Sequence, residues 1–276
     1  MRPVDSGMGL TEAQVNPASL VVEGLEVRFG GLVAVNDLSL EAPIGRITGL
    51  IGPNGAGKST SFDACFGFTR PSAGRVSFAG VDLTHASVTS RAHLGIGRTF
   101  QRIELFDNLS VHHNVALGLE AKLAGRSPLT QLWARRSERQ AVEAVTKEML
   151  ELCHLTDLAG TRAGSLSTGQ RRLVELARAL AGGHQLLLLD EPASGLDAHE
   201  SRDFGRLLRR VVETRGTGIL VVEHDMSLIS TTCDYVYVLD YGRLIYQGTP
   251  AEVLASETVR IAYLGTEPIP EEVERR

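Results

Sequence analysis

The run Gly52-Pro53-Asn54-Gly55-Ala56-Gly57-Lys58-Ser59-Thr60 constrains this chain more than any other, because it must turn tightly between two ordered segments. Ahead of it lie five mostly apolar residues, 47–51, and behind it Phe62, Cys65 and Phe66 recur at helical spacing. This is the pattern G-x-x-x-x-G-K-[ST] in the setting it requires, a strand, a glycine loop and a helix start. Backbone N–H groups freed by the glycines can point at phosphate oxygens, and the helix presents its positive end to the same place. Lys58 is then placed to reach the outer phosphates of a nucleoside triphosphate. Ser59 is placed to ligate Mg²⁺ through its hydroxyl, and Thr60 to bond a further phosphate oxygen.

The chain has 276 residues, of which 43% are hydrophobic, enough to bury a sizeable core. A formal net charge of −5 argues against a general nucleic-acid surface, so no nucleic-acid partner is expected. Cys65, Cys153 and Cys233 lie far apart without metal-ligand spacing. Their odd number, with no secretory leader, predicts reduced packing thiols in the cytosol. No run reaches the roughly 18 apolar residues of a spanning helix. Any membrane role is therefore expected to pass through a partner.

Residues 1–18, rich in Gly, Ser and Pro, predict a mobile tail, with the fold beginning near Ser19. Residues 20–29, 32–40 and 75–79 carry β patterns and predict a small antiparallel layer. From about 102 to 165 the pattern turns helical, with Ser137 and Gln140 predicting a cap and Ala141, Val145, Glu148 and Leu152 one face. Beyond it, a helix over 168–180 separates this insert from two apolar strands at 186–189 and 219–222. Buried parallel strands alternating with helices predict a doubly wound α/β core. Residues 235–239 and 243–246 flank Asp240-Tyr241-Gly242 and predict a hairpin rather than more parallel sheet. A charged, proline-containing tail covers 266–276, leaving 19–265 as one two-lobed domain.

The run Leu186-Leu187-Leu188-Leu189-Asp190-Glu191 sets two carboxylates where a buried strand leaves the sheet, the edge at which such folds bind ligands. Asp190 is expected to act on Mg²⁺, and Glu191 to serve as the general base that polarises the water attacking the γ-phosphate. Leu166-Ser167-Thr168-Gly169-Gln170 opens the helix carrying Leu173, Leu176, Ala177 and Leu180, so Ser167 can cap it with Gln170 completing the box. The same turn leaves donors at a positive helix end, a second place for an anion.

These motifs, with Gln101, Ser194-Gly195-Leu196-Asp197 and His224, fall in the order found in ATP-binding-cassette ATPases. The chain resembles that family over residues 20–265. The resemblance implies a P-loop NTPase core of RecA-like type, with an antiparallel β layer and an inserted helical subdomain. It implies two subunits enclosing two ATP molecules, with Ser167 and Gly169 on the γ-phosphate held by the opposite subunit's loop. Gln101 would sense Mg²⁺ and the attacking water, His224 the γ-phosphate, Asp197 would lie at the subunit interface, and Phe29 would stack on adenine. The signature usually reads LSGGQ in this family, and Thr168 stands here for its first glycine.

Further features resemble the ATPase subunits of branched-chain amino acid importers. They are Arg98-Thr99-Phe100-Gln101 followed by Leu105-Phe106 and Asn114-Val115, the lengthened insert at 117–136, Glu223-His224-Asp225-Met226, and Gly248-Thr249-Pro250 leading to Ala262-Tyr263-Leu264-Gly265. Urea-type uptake and lipopolysaccharide-type export ATPases share much of this. The resemblance implies permease subunits, a second ATPase subunit and an extracytoplasmic solute-binding protein as partners, at the cytoplasmic face of the membrane. Leu105 and Phe106 are candidates for permease contacts and equally for helix packing. A soluble cassette ATPase without a transporter, and a cassette that binds ATP without hydrolysing it, are the competing readings.

Overall fold

Which way each strand residue faces, more than how apolar the strand is, decides the architecture. The computed structural model describes residues 19–99, 101–124 and 136–264. Both expected tails, Phe100 and most of the lengthened insert lie outside the described residues.

In chain order, β1 (Ser19–Phe29) and β2 (Leu32–Pro43) form a hairpin, and β3 (Ile47–Ile51) runs through the glycine loop into α1 (Lys58–Phe66). Then come β4 (Ala73–Phe78), β5 (Val81–Asp82), α2 (Val88–His93) and β6 (Ile96–Arg98). The helices α3 (Val111–Ala124), α4 (Arg136–Leu152) and α5 (Thr168–Ala181) lead to β7 (Leu186–Asp190), α6 (Ala198–Arg215) and β8 (Gly218–Val222). The chain continues through α7 (Met226–Thr232), β9 (Tyr235–Asp240), β10 (Arg243–Gly248), α8 (Pro250–Ala255) and α9 (Glu257–Leu264).

The antiparallel layer has strand order β2-β1-β4-β5, and the larger sheet β10-β9-β3-β8-β7-β6. Within the larger sheet only β9 and β10 pair antiparallel. Leu186, Leu188, Leu220, Val222 and Leu50 join the core shared with α1 and the antiparallel layer, while Leu187, Leu189, Ile219 and Val221 join the core under the helices. Both faces of these strands are covered, which is why their runs are apolar without alternation.

The same division corrects the expected hairpin. Asp240-Tyr241-Gly242 does turn β9 into β10, but β9 also pairs in parallel with β3, with Thr48 opposite Tyr235. Val236 and Val238 face one core and Tyr237 and Leu239 the other, a two-sided burial that an isolated hairpin could not provide. Two strands, β5 and β6, are too short for any periodicity to announce them.

The expected face of α4 is displaced as well. Of that face Val145 and Leu152 do pack against the core, but Ala141 is exposed, Glu148 is exposed and paired with Arg215, and the buried residues are Thr146, Met149 and Leu150. Ser137 lies inside α4 rather than ahead of it. Apolar residues two to a turn define two overlapping stripes here, and only packing against α3 and α5 selects one. All three cysteines are buried, and burial pushes each thiol up to about 12, in keeping with packing roles.

One buried cation joins the layers. Arg91 is 1% exposed and donates to the carbonyls of Ala64 at 2.9 Å, Cys65 at 2.7 Å, Leu83 at 2.5 Å and Ala86 at 3.2 Å. Two of these belong to the last turn of α1, where unpaired carbonyls and the negative helix end favour a cation.

Candidate functional site

The glycine loop is shaped by its surroundings. Gly57 sits at φ 96° immediately before α1, and a Cβ on it would lie 2.6 Å from the Ala34 carbonyl. No side chain caps α1, so the first N–H groups of the helix are left to an external acceptor. Lys58 is 6% exposed and donates to the carbonyls of Gly52 at 2.6 Å and Pro53 at 2.9 Å. Burial lowers its pKa, opposed by the charges of Glu191 and Asp190. Ser59 is exposed at the mouth of the loop, and Thr60 half-buried behind it. From α9, the buried Tyr263 hydroxyl meets the Gly52 backbone.

Asp190, Glu191 and His224 leave the sheet at the C-terminal ends of the neighbouring strands β7 and β8, and Gln101 shortly after β6. Gln101 donates its amide to Glu191 Oε2 at 3.0 Å, and His224 Nδ1 lies 4.0 Å from Glu191 Oε1. Two residues far apart in the chain thus converge on the Glu191 carboxylate. Glu191 itself has φ 45°, a left-handed backbone, held by its N–H on the Val222 carbonyl at 2.9 Å and by Ser194 N–H on its own carbonyl at 3.1 Å. Such strain in a non-glycine residue persists only where neighbours enforce it, and it often marks a functional position.

Asp190 is buried and shares Arg98 with Asp63, the guanidinium lying 3.0 Å from Asp190 and 2.6 Å from Asp63. The rings of Phe62, Phe66 and Phe68 surround the Arg98 cation at 4.9, 5.9 and 5.2 Å. Burial raises the Asp190 pKa and Arg98 opposes it. Ser59, Gln101 and Asp190 offer oxygen donors only, with no cluster of three His, Cys, Asp or Glu among the described residues. That donor set suits a hard divalent cation that keeps water and phosphate oxygens in its shell.

Ser167 caps α5 as its sequence pattern predicts, accepting from Gln170 N–H at 3.2 Å while Gln170 Oε1 accepts from Ser167 N–H at 3.0 Å. Gln170 is thereby committed to the cap. Asp197 likewise caps α6, accepting from His199 and Glu200 N–H, bonds that lower its pKa. Thr168 lies against Gly195, whose absent Cβ would come within 3.2 Å of its methyl. Phe29 is 54% exposed at the end of β1. Among the described residues no hydrogen bond or ion pair joins Ser167 or Gly169 to Lys58, Glu191 or His224.

The ABC transporter family matches residues 35–194, more than half of the chain. The protein belongs to the ABC transporter ATP-binding family. It is an ABC ATPase and binds ATP. BraF of Pseudomonas aeruginosa, a high-affinity branched-chain amino acid transport ATP-binding protein, is 36% identical over 250 residues, covering 89% of this chain and 97% of BraF. The lipopolysaccharide export system ATP-binding protein LptB of Escherichia coli K12 is 35% identical, covering 90% of this chain and 98% of LptB. The ADP conformation of MJ1267, an ATP-binding cassette of an ABC transporter, superposes with a TM-score of 0.78 at 31% identity, over 89% of this chain and 98% of that one.

Some residues of this ABC site escape a reading of the sequence. Arg98 belongs to a strand three residues long, and its partners Asp63 and Asp190 are distant in sequence. Glu223 is 1% exposed and accepts from Ala193 N–H at 2.8 Å and His224 N–H at 3.1 Å, tying the loop after Glu191 to His224. Burial raises its pKa, opposed by those bonds. Its signal was present: an acid closing an apolar strand, as Asp190 closes β7.

Proposed function

We propose that the protein is the ATP-hydrolysing subunit of a membrane transporter, most consistent with uptake of branched-chain amino acids or a related small polar solute. The observation that carries hydrolysis is the meeting of Gln101, Glu191 and His224, with Glu191 able to accept a proton from an attacking water. Lys58, the backbone donors of residues 52–60 and the end of α1 hold the triphosphate, and Phe29 receives the adenine. Ser59, Gln101 and Asp190 would hold Mg²⁺, which would supply neutralisation of phosphate charge. Gln101 orients the water on Glu191, and His224 bonds the γ-phosphate. Ser167, Gly169 and Asp197 act on the partner subunit's nucleotide, so turnover requires two subunits to close on ATP.

The cargo reading is supported by the near end-to-end likeness to BraF. Lipopolysaccharide-type export is the second reading, supported by a likeness to LptB of similar extent. No helix among the described residues is long and apolar enough to cross a membrane, which suits a subunit docked on permeases at the cytoplasmic face. An extracytoplasmic solute-binding protein completes the uptake reading, and the identity of co-purifying permeases separates it from export.

Glu191→Gln tests the mechanism. It should retain ATP affinity by calorimetry, accumulate an ATP-bound dimer by size-exclusion chromatography, and lose about 10²–10⁴ in kcat, the worth of a general base. Undiminished turnover would remove Glu191 from that role.

A further inference from the structure

Three arginines of α5 grip the segment that carries Gln101. Arg172 is 5% exposed and donates to the Gln101 carbonyl at 2.9 Å and to Glu175 Oε2 at 3.1 Å, Glu175 being 4% exposed. Arg171 donates to Asp107 Oδ1 at 2.7 Å and the Ala163 carbonyl at 3.0 Å, and Arg178 to the Glu104 carbonyl at 2.6 Å. The first turn of α5 carries Gly169, and Ser167 caps it. One end of Gln101, its amide, therefore touches Glu191, and the other, its carbonyl, is bound to the signature helix.

We propose that Arg172 is a positioning residue that couples Gln101 to the Ser167–Gly169 end of α5, so that the state sensed beside Glu191 moves the surface offered to the second subunit's nucleotide. The inference rests on the composite-site reading above. Its chemistry is that of the guanidinium fork, which spans two acceptors at fixed geometry, whereas a lysine ammonium is a flexible point charge. A buried pair kept only for stability could instead be replaced by apolar residues of similar volume without loss.

The test uses the full chain. Arg172→Lys, and the double variant Arg172→Met with Glu175→Met, should each lower kcat about a hundredfold, the cost of a misplacement near 1 Å. Since Lys58 is untouched, ATP affinity should stay within about twofold, separating transition-state from ground-state effects. In a Gln101→Ala background the Arg172→Lys penalty should vanish, because residues acting as one unit are not additive. Wild-type kcat in both variants, or an equal penalty with and without Gln101, overturns the proposal. Arg172→Lys supplies the result should the double variant not fold. Failure of Glu191→Gln to dimerise with ATP counts against the composite site instead, because the cycle between Arg172 and Gln101 is read from turnover alone.

Discussion

Lys58 shows how much a single residue depends on the fold around it. The residue is 6% exposed and its ammonium donates to two loop carbonyls, so it is held in place by the same backbone that would surround a phosphate. Lys58→Ala should leave the loop glycines intact and remove the charge. ATP affinity should fall by at least about tenfold, the equivalent of one charge-assisted hydrogen bond at ~1.4 kcal/mol. Titration calorimetry would check it, and unchanged affinity would contradict the assignment. At this scale the sequence was legible where chemistry and spacing coincide. The lysine follows the glycines directly, and Asp190 and Glu191 close an apolar strand. Arg98 and Arg172 were not legible, because their partners lie 92 and 71 residues away.

Among the elements, the loop between β6 and α3 divides into a packed and a presented part. Leu105 packs against the core beneath the helices, while Phe106 is 57% exposed and Leu109 38% exposed. Asn114, fully buried in α3, holds that loop by accepting from Phe106 N–H at 2.9 Å and donating to the carbonyls of Phe106 at 3.1 Å and Ser110 at 3.0 Å. Asn114→Ala leaves the Phe106 N–H without its acceptor, while the Phe106 and Ser110 carbonyls keep the backbone N–H groups of Leu109 and residue 114, and should cost about 2 kcal/mol of stability in urea titration. Phe106→Ala should change stability by no more than about 0.5 kcal/mol. In the proposed reading it nonetheless weakens capture of the permease. The cap of α5 was readable, the box of Ser167 and Gln170 forming as spacing predicts, whereas the cap expected at Ser137 falls inside α4. The buried face of α4 was not readable, because its neighbours choose between two stripes.

Across the whole molecule, the layers are joined by a few polar residues as well as by apolar cores. Arg91 connects the end of α1 to the segment between β4 and α2 through four carbonyls. Burial lowers its pKa, so the bonds must offset a real desolvation cost. Arg91→Met fills similar volume but removes the donor to the Ala64, Cys65 and Ala86 carbonyls, Leu83 alone of the four keeping a backbone N–H, and should destabilise by about 3 kcal/mol, near the upper range for buried groups left unpaired. Chemical denaturation monitored by circular dichroism would measure it. A change under ~0.5 kcal/mol would show that other donors replace the guanidinium.

By itself the sequence determined the glycine loop and its helix, the two-sided strands β7 and β8, the caps of α5 and the order of motifs. Each of these is set by neighbours within a few residues, through backbone freedom, side-chain spacing or local hydrogen bonds. Only the tertiary structure decided that β9 belongs to the core sheet, that α4 buries Thr146 and Met149, and that Gln101 is shared between Glu191 and Arg172. Those outcomes depend on pairing and burial between distant segments, where an apolar stripe or a buried arginine has meaning only once its partner has arrived.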